Sequence, residues 1–144
     1  MKFLILLFVS ILSLTSWAEV TTNKLRVGDI ILLPLNCWVC TLIEQETNSS
    51  FSHSGIVLSI SRNSILIGQS LGKVHAIELN DFLRMKDKNR DAIVVRANEL
   101  SQNTINPSKI MLEFDQNFKG LPFDHDYLWT NYSDKDEKLY CSEF

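Results

Sequence analysis

Glycine and proline are scarce, 5 and 3 residues in a chain of 144, and 45% of the residues are hydrophobic. That balance excludes a collagen-like repeat or a disordered tract. A basic excess is also missing. Lys and Arg number 14 against 17 Asp and Glu, a formal charge of −3 with no basic stripe, which argues against nucleic acid as a partner. Nor is there an apolar run of the ~20 residues a membrane-spanning helix needs. Phe3–Leu14 is an apolar run of only 12, and nothing later in the chain is longer, so no integral membrane segment is expected in the mature chain. Internal repeats and low-complexity segments are absent too.

The N-terminus reads as an export signal. Lys2 supplies the positive start, Phe3–Leu14 the apolar stretch, and Thr15-Ser16-Trp17-Ala18 puts small residues at the −3 and −1 places. Cleavage after Ala18 leaves 19–144 as a single domain, large enough for one core. No cysteine sits at the cleavage site to take a lipid anchor, so the expected product is soluble in the periplasm or secreted. Exported thiols meet oxidising conditions. With Cys37, Cys40 and Cys141, at least one thiol is left over in a monomer.

Leu25–Leu35 is mostly apolar and β-branched and predicts a buried strand; Val39–Glu46 follows as a short helix and Thr47–Ser52 as a polar loop. His53–Ile60, Ser64–Gln69 and Lys73–Leu79 read as successive strands, with turns at Arg62-Asn63-Ser64 and Leu71-Gly72. Asn80 is a candidate N-cap for a short helix through Met85, and Asp91–Ala97 is a further strand. Asn106-Pro107 opens another helix, because proline at the first helical position forfeits no hydrogen bond. Ile110, Met111, Phe114 and Phe118 give that helix one apolar face, and Gly120-Leu121-Pro122 stops it. Runs of strands bounded by helices, without strict alternation, predict an α+β domain on an antiparallel sheet.

Two segments could carry nucleophilic chemistry. Lys138–Phe144 (KLYCSEF) resembles the start of a helix, where unpaired N–H groups stabilise a thiolate at Cys141. The plainer reading makes Cys141 a small buried hydrophobe. His53 opens an apolar strand in Ser52-His53-Ser54-Gly55, where the strand fixes a base at the edge of a cleft and Gly55 allows a close approach. The plainer reading is a histidine at a loop-to-strand junction. His75, within a strand of mixed polarity, and His125, between two aspartates, are weaker candidates.

GDIILLP, SHSGIVL, GKVHAIELNDFL, GLPFDHDYLW and LYCSEF occur in an order that resembles the permuted, NlpC-type papain-like amidases of the YaeF/YiiX family. The resemblance covers roughly residues 25–144 and implies a circularly permuted papain-like domain with the histidine ahead of the cysteine. It also implies a cysteine hydrolase (amidase or peptidase-like) with Cys141 as nucleophile and His53 as base. By the same resemblance a third residue would orient the imidazole from the next strand. Gln69 is the polar side chain there able to accept from the ring, where family members more often carry an acid. Asp124 and Asp126 would shape the approach to the cleft. The substrate would be a peptide, amide or acyl-lipid, such as a cell-wall peptide, with no cofactor and no metal. The family continues from the cysteine into a helix, whereas this sequence stops three residues after Cys141, so an incomplete C-terminus is expected.

Two alternatives come from other classes. A non-catalytic binding module could use the same fold. Cys37-Trp38-Val39-Cys40, between a strand and a helix, could be a thiol-disulfide oxidoreductase pair, although a thioredoxin-like fold would need further β-α alternation. A local disulfide is the plainer reading of the pair. A zinc finger fails on spacing, because the histidine after His53 is His75.

Overall fold

A computed structural model describes residues 22–98 and 106–124. The proposed export signal, His125, Asp126 and Cys141 lie outside the described residues. A 3-10 turn at Thr22–Lys24 leads to β1 (Ile30–Leu33), α1 (Trp38–Glu46), β2 (His53–Ile60), β3 (Ile65–Leu71), β4 (Lys73–Glu78), α2 (Leu79–Arg84) and β5 (Ile93–Val95). α3 (Pro107–Glu113) then runs into a π-helical turn, Phe114–Phe118.

The strands form one five-stranded sheet in the order β4-β3-β2-β1-β5, and every pairing is antiparallel. This is the α+β architecture that the run of strands predicts. Both faces of the sheet are covered. On one, Ile31, Leu33, Val57 and Ile67 pack with Leu79 and Phe82 of α2. On the other, Leu58 and Val74 meet Phe114, with Ile110, Met111 and Phe118 packed around them. The α3 face predicted from 3–4 residue spacing is therefore the face that is buried. Asn106 caps this helix by accepting from the Ser108 N–H at 3.0 Å, with Pro107 in the first turn.

Three predicted elements differ from those observed. The strand predicted over Leu25–Leu35 is only Ile30–Leu33. Gly28 adopts φ 89°, open to glycine at little cost, and so turns the chain just before β1. The turn is stitched to the centre of β2 by Gly28 N to Val57 O and Val57 N to Asp29 O, both 2.8 Å. The Asp29 carboxylate accepts from Arg26 N at 2.8 Å and from Arg96 Nε and Nη2 at 2.6 and 2.7 Å. The strand predicted over Asp91–Ala97 is Ile93–Val95, since it pairs only with the short β1. Asn80 is not a cap: α2 begins at Leu79 after Glu78, which makes no side-chain capping bond, because burial of Leu79 and Phe82 sets the helix start.

α1 has an unpredicted start. Cys37 is its N-cap, the Cys37 sulfur accepts from Cys40 N at 3.1 Å, and the two cysteines are joined in a disulfide. At the far edge of the sheet, Gly120–Phe123 runs beside β4. Gly120 N donates to Val74 O and Val74 N to Leu121 O, both at 2.8 Å, and Lys73 bridges Pro122. Backbone groups of β4 that an exposed edge would leave unpaired are satisfied in this way.

Candidate active site

His53 is the first residue of β2, paired with Leu33 of β1. Alternation along the strand puts its ring on the same face as Gly55 and Val57, the face covered by α2. The ring is only 4% exposed and lies 5.6 Å, centroid to centroid, from Phe82 at a tilt of 40°. The contact depends on Gly55. A Cβ there would come within 2.6 Å of Ile67 Cγ2 and within 2.7 Å of Phe82 Cζ. The close approach predicted at Gly55 is thus made by two core side chains, and these fill the space that a ligand or a second backbone would need.

Gln69 lies on β3. The register Ile56↔Gly68 sets it beside Gly55, on the face that His53 shares. Its side chain is 2% exposed, and its Oε1 is 2.7 Å from His53 Nε2. The structure therefore brings His53 and Gln69 into direct contact. The amide oxygen can only accept, so Nε2 carries the proton and Nδ1 is left as the basic ring position. Burial moves the His53 pKa below its usual 6.5. The Gln69 hydrogen bond opposes that shift and the nearby His75 adds to it. At neutral pH the ring is uncharged, the state a general base requires.

His75, one of the two weaker histidine candidates, joins this pair. Gln69 Nε2 lies 3.1 Å from His75 Nε2, and His75 Nδ1 lies 2.7 Å from the Lys73 carbonyl oxygen. Gln69 and His75 are direct partners across β3 and β4. The signal was present: a hairpin turning at Gly72 (φ 74°) sets residues 69 and 75 equally far from the turn. Phe82 was missed as well, and only its place on an apolar helix face could have suggested it.

The other candidates fall elsewhere. Asp124 is buried, 1% exposed, and Asp126 and Cys141, with which it would frame a cleft, lie outside the described residues. An apolar cavity of about 390 Å³ lined by Ile56, Leu58, Ile110, Glu113, Phe114 and Phe118 opens on the opposite face of the sheet from His53. It is not a pocket for chemistry at that ring. Cys37 is exposed and Cys40 buried at the start of α1, as in many redox pairs. The all-antiparallel sheet, however, lacks the parallel β-α-β crossover of a thioredoxin-like fold among the described residues.

No protein-family model matches the sequence, and neither does any curated protein. Among solved structures the fold is similar to the crystal structure of metalloprotein yiiX from Escherichia coli O157:H7. The TM-score is 0.64 at 21% sequence identity, over 82% of this chain and 61% of that one. The fold is YiiX-like. This chain spans about 61% of the length of YiiX. YiiX is described as a metalloprotein. Here, among the described residues, no group of three or more His, Cys, Asp and Glu side chains is placed to hold a metal ion. Cys37 and Cys40 are committed to each other as a disulfide. No helix among the described residues is long and apolar enough to cross a membrane.

Proposed function

We propose that this chain is an exported cysteine hydrolase of the permuted papain-like type, with Cys141 as nucleophile, His53 as base and Gln69 as the residue that orients the base. The observation that carries the reading is the buried 2.7 Å contact between His53 Nε2 and Gln69 Oε1, on a ring that burial keeps neutral. A histidine fixed in one tautomer and held uncharged is costly to build for packing alone, and it is what a thiol nucleophile needs as a partner. The YiiX-like fold and the YCSEF segment support the same reading.

In this mechanism His53 Nδ1 takes the thiol proton and the Cys141 sulfur forms a bond to an amide or ester carbonyl carbon. The tetrahedral intermediate collapses by breaking the C–N or C–O bond, and His53 passes its proton to the leaving group. Water then attacks the thioester, with His53 accepting its proton, and the free acid and thiol are regenerated. Gln69 bears no charge, so it fixes the ring while stabilising the imidazolium less than a carboxylate would. Peptides, amides and acyl-lipids all carry a suitable carbonyl.

The test is hydrolysis of an amide and an ester probe by the full chain and by Cys141→Ala and His53→Ala. Each substitution should lower turnover by about 10²-fold or more. Iodoacetamide at pH 6 should label Cys141 ahead of any other residue. Undiminished hydrolysis in both variants would overturn the assignment.

Thiol–disulfide exchange is a second reading, favoured by the exposed Cys37 and buried Cys40 at a helix start. An incoming thiolate would attack Cys37 and release Cys40 as the leaving thiolate; once the pair is reduced, the Cys37 thiolate is the one held by the first-turn N–H of α1. Reduction of a protein disulfide by dithiothreitol, accelerated by the native chain and not by Cys37→Ser, would support it.

A further inference from the structure

We infer that His75 is a positioning residue: it selects the orientation of the Gln69 amide and, through it, the tautomer of His53. The inference rests on the hydrolase reading for its catalytic consequence, while its structural content stands on hydrogen-bond logic alone.

The Lys73 carbonyl fixes the first proton of the series. A backbone carbonyl oxygen has no proton to give, so the 2.7 Å contact with His75 Nδ1 requires the proton to sit on that nitrogen. In the neutral ring, Nε2 is then an acceptor. Its partner at 3.1 Å must donate, and of the two ends of the Gln69 amide only the NH2 group can. The other end, the oxygen, is thereby turned to His53, whose Nε2 must donate across the 2.7 Å contact. One fixed backbone acceptor propagates through three side chains and leaves the basic lone pair on His53 Nδ1.

An amide presents nearly the same shape either way round, so packing alone does not choose between its two orientations. The opposite orientation would aim NH2 at His53, make Nε2 the acceptor and put the proton on Nδ1, where it blocks proton abstraction. Burial raises the stakes. Gln69 is 2% exposed, and a donor or acceptor mismatched in that position has little water to turn to. The two histidines are consequently expected as opposite tautomers, Nδ1–H at His75 and Nε2–H at His53.

Nitrogen-15 imidazole NMR on the full chain carrying Cys141→Ser reads this directly, without substrate and at a pH where both rings are neutral. The wild-type pair should show opposite tautomers. His75→Phe removes the acceptor, and His53 should then populate the Nδ1–H form. His75→Gln, whose side-chain oxygen can accept from the Gln69 amide, should restore Nε2–H at His53. With Cys141 intact, kcat on the ester probe should fall about tenfold or more in His75→Phe with KM within about twofold, part of the ~10⁴-fold penalty a wholly wrong tautomer can bring. The Gln variant should recover most of that loss. An Nε2–H tautomer at His75, or a His53 tautomer unchanged in His75→Phe, overturns the inference. Tautomers as expected with no hydrolysis by the wild type would instead overturn the hydrolase reading and leave the positioning intact.

Discussion

His53 makes stability depend on pH in a direction that follows from its burial. Its folded pKa lies below the unfolded value of 6.5, so in the window between the two the unfolded chain binds more protons than the folded one. Unfolding free energy therefore rises with pH through that window. The contribution is complete above pH 6.5 and is lost as pH falls through the depressed folded value. Urea midpoints taken from pH 7.5 down to pH 4.5 should decline on the acid side, and His53→Gln should remove that share of the decline. An identical slope in the variant would mean that the ring is not buried neutral. The same desolvation that costs stability in acid keeps a base ready at neutral pH, so the residue ties a folding property to the proposed chemistry.

Among the elements, β2, β3 and α2 pack with no room for an added methyl at their contact. Gly55 is where β2 yields space to Phe82 of α2 and Ile67 of β3, and an added methyl would stand within 2.8 Å of three of their carbon atoms. Phe82 is a rigid ring with no exposed surface, so it cannot swing aside. Gly55→Ala should lower stability by about 1–3 kcal/mol through overpacking. It should also displace Phe82 from the His53 ring, visible as a loss of ring-current shift on the imidazole protons. Stability equal to the native chain would show that the sheet and α2 can separate more freely than this packing implies. The local sequence signals for these elements were strong. His53–Ile60 runs as a strand over the residues expected, and Asn106-Pro107 starts α3 where capping chemistry placed it. The weak boundaries were Leu25–Leu35 and Asp91–Ala97, whose lengths depend on one another through the β1–β5 pairing and not on either segment's own composition.

At the scale of the whole molecule, an ion pair ties the start of β1 to the end of β5, side by side at one end of the sheet. Asp29, fully buried before β1, receives two guanidinium hydrogen bonds from Arg96 just after β5, a separation of 67 residues. Arg96 also donates to Lys24 O at 3.0 Å. The Gly-Asp-Ile segment that carried the family resemblance is therefore a structural clasp in this fold, set apart from the His53 chain. Arg96→Met keeps the aliphatic stem but strands the carboxylate with only the Arg26 N–H. The expected cost is about 1–3 kcal/mol, below that of breaking a wholly buried pair because the Arg96 side chain keeps 27% of its surface in water. Asp29→Asn combined with Arg96→Met should recover part of the loss in a double-mutant cycle. Strict additivity of the two changes would deny the coupling.

Sequence alone determined what depends on neighbours along the chain: the order of strands and helices, the turn glycines, the α3 cap and the apolar faces that demand burial. It also singled out His53, a base at a strand start, while Gln69 followed from the family resemblance, which looks to the next strand for a polar partner. Only the tertiary structure decided that these two touch, that His75 completes the series and that Phe82 supports the ring beside the space left by Gly55. It also decided that Asp124 is interior and that Cys37 and Cys40 are bonded. The reason is physical: residue type reports what a side chain can donate, accept or bury. Which groups come within 3 Å of one another is set by strand register and by helices packing across the sheet, and both are fixed by the burial of many residues at once.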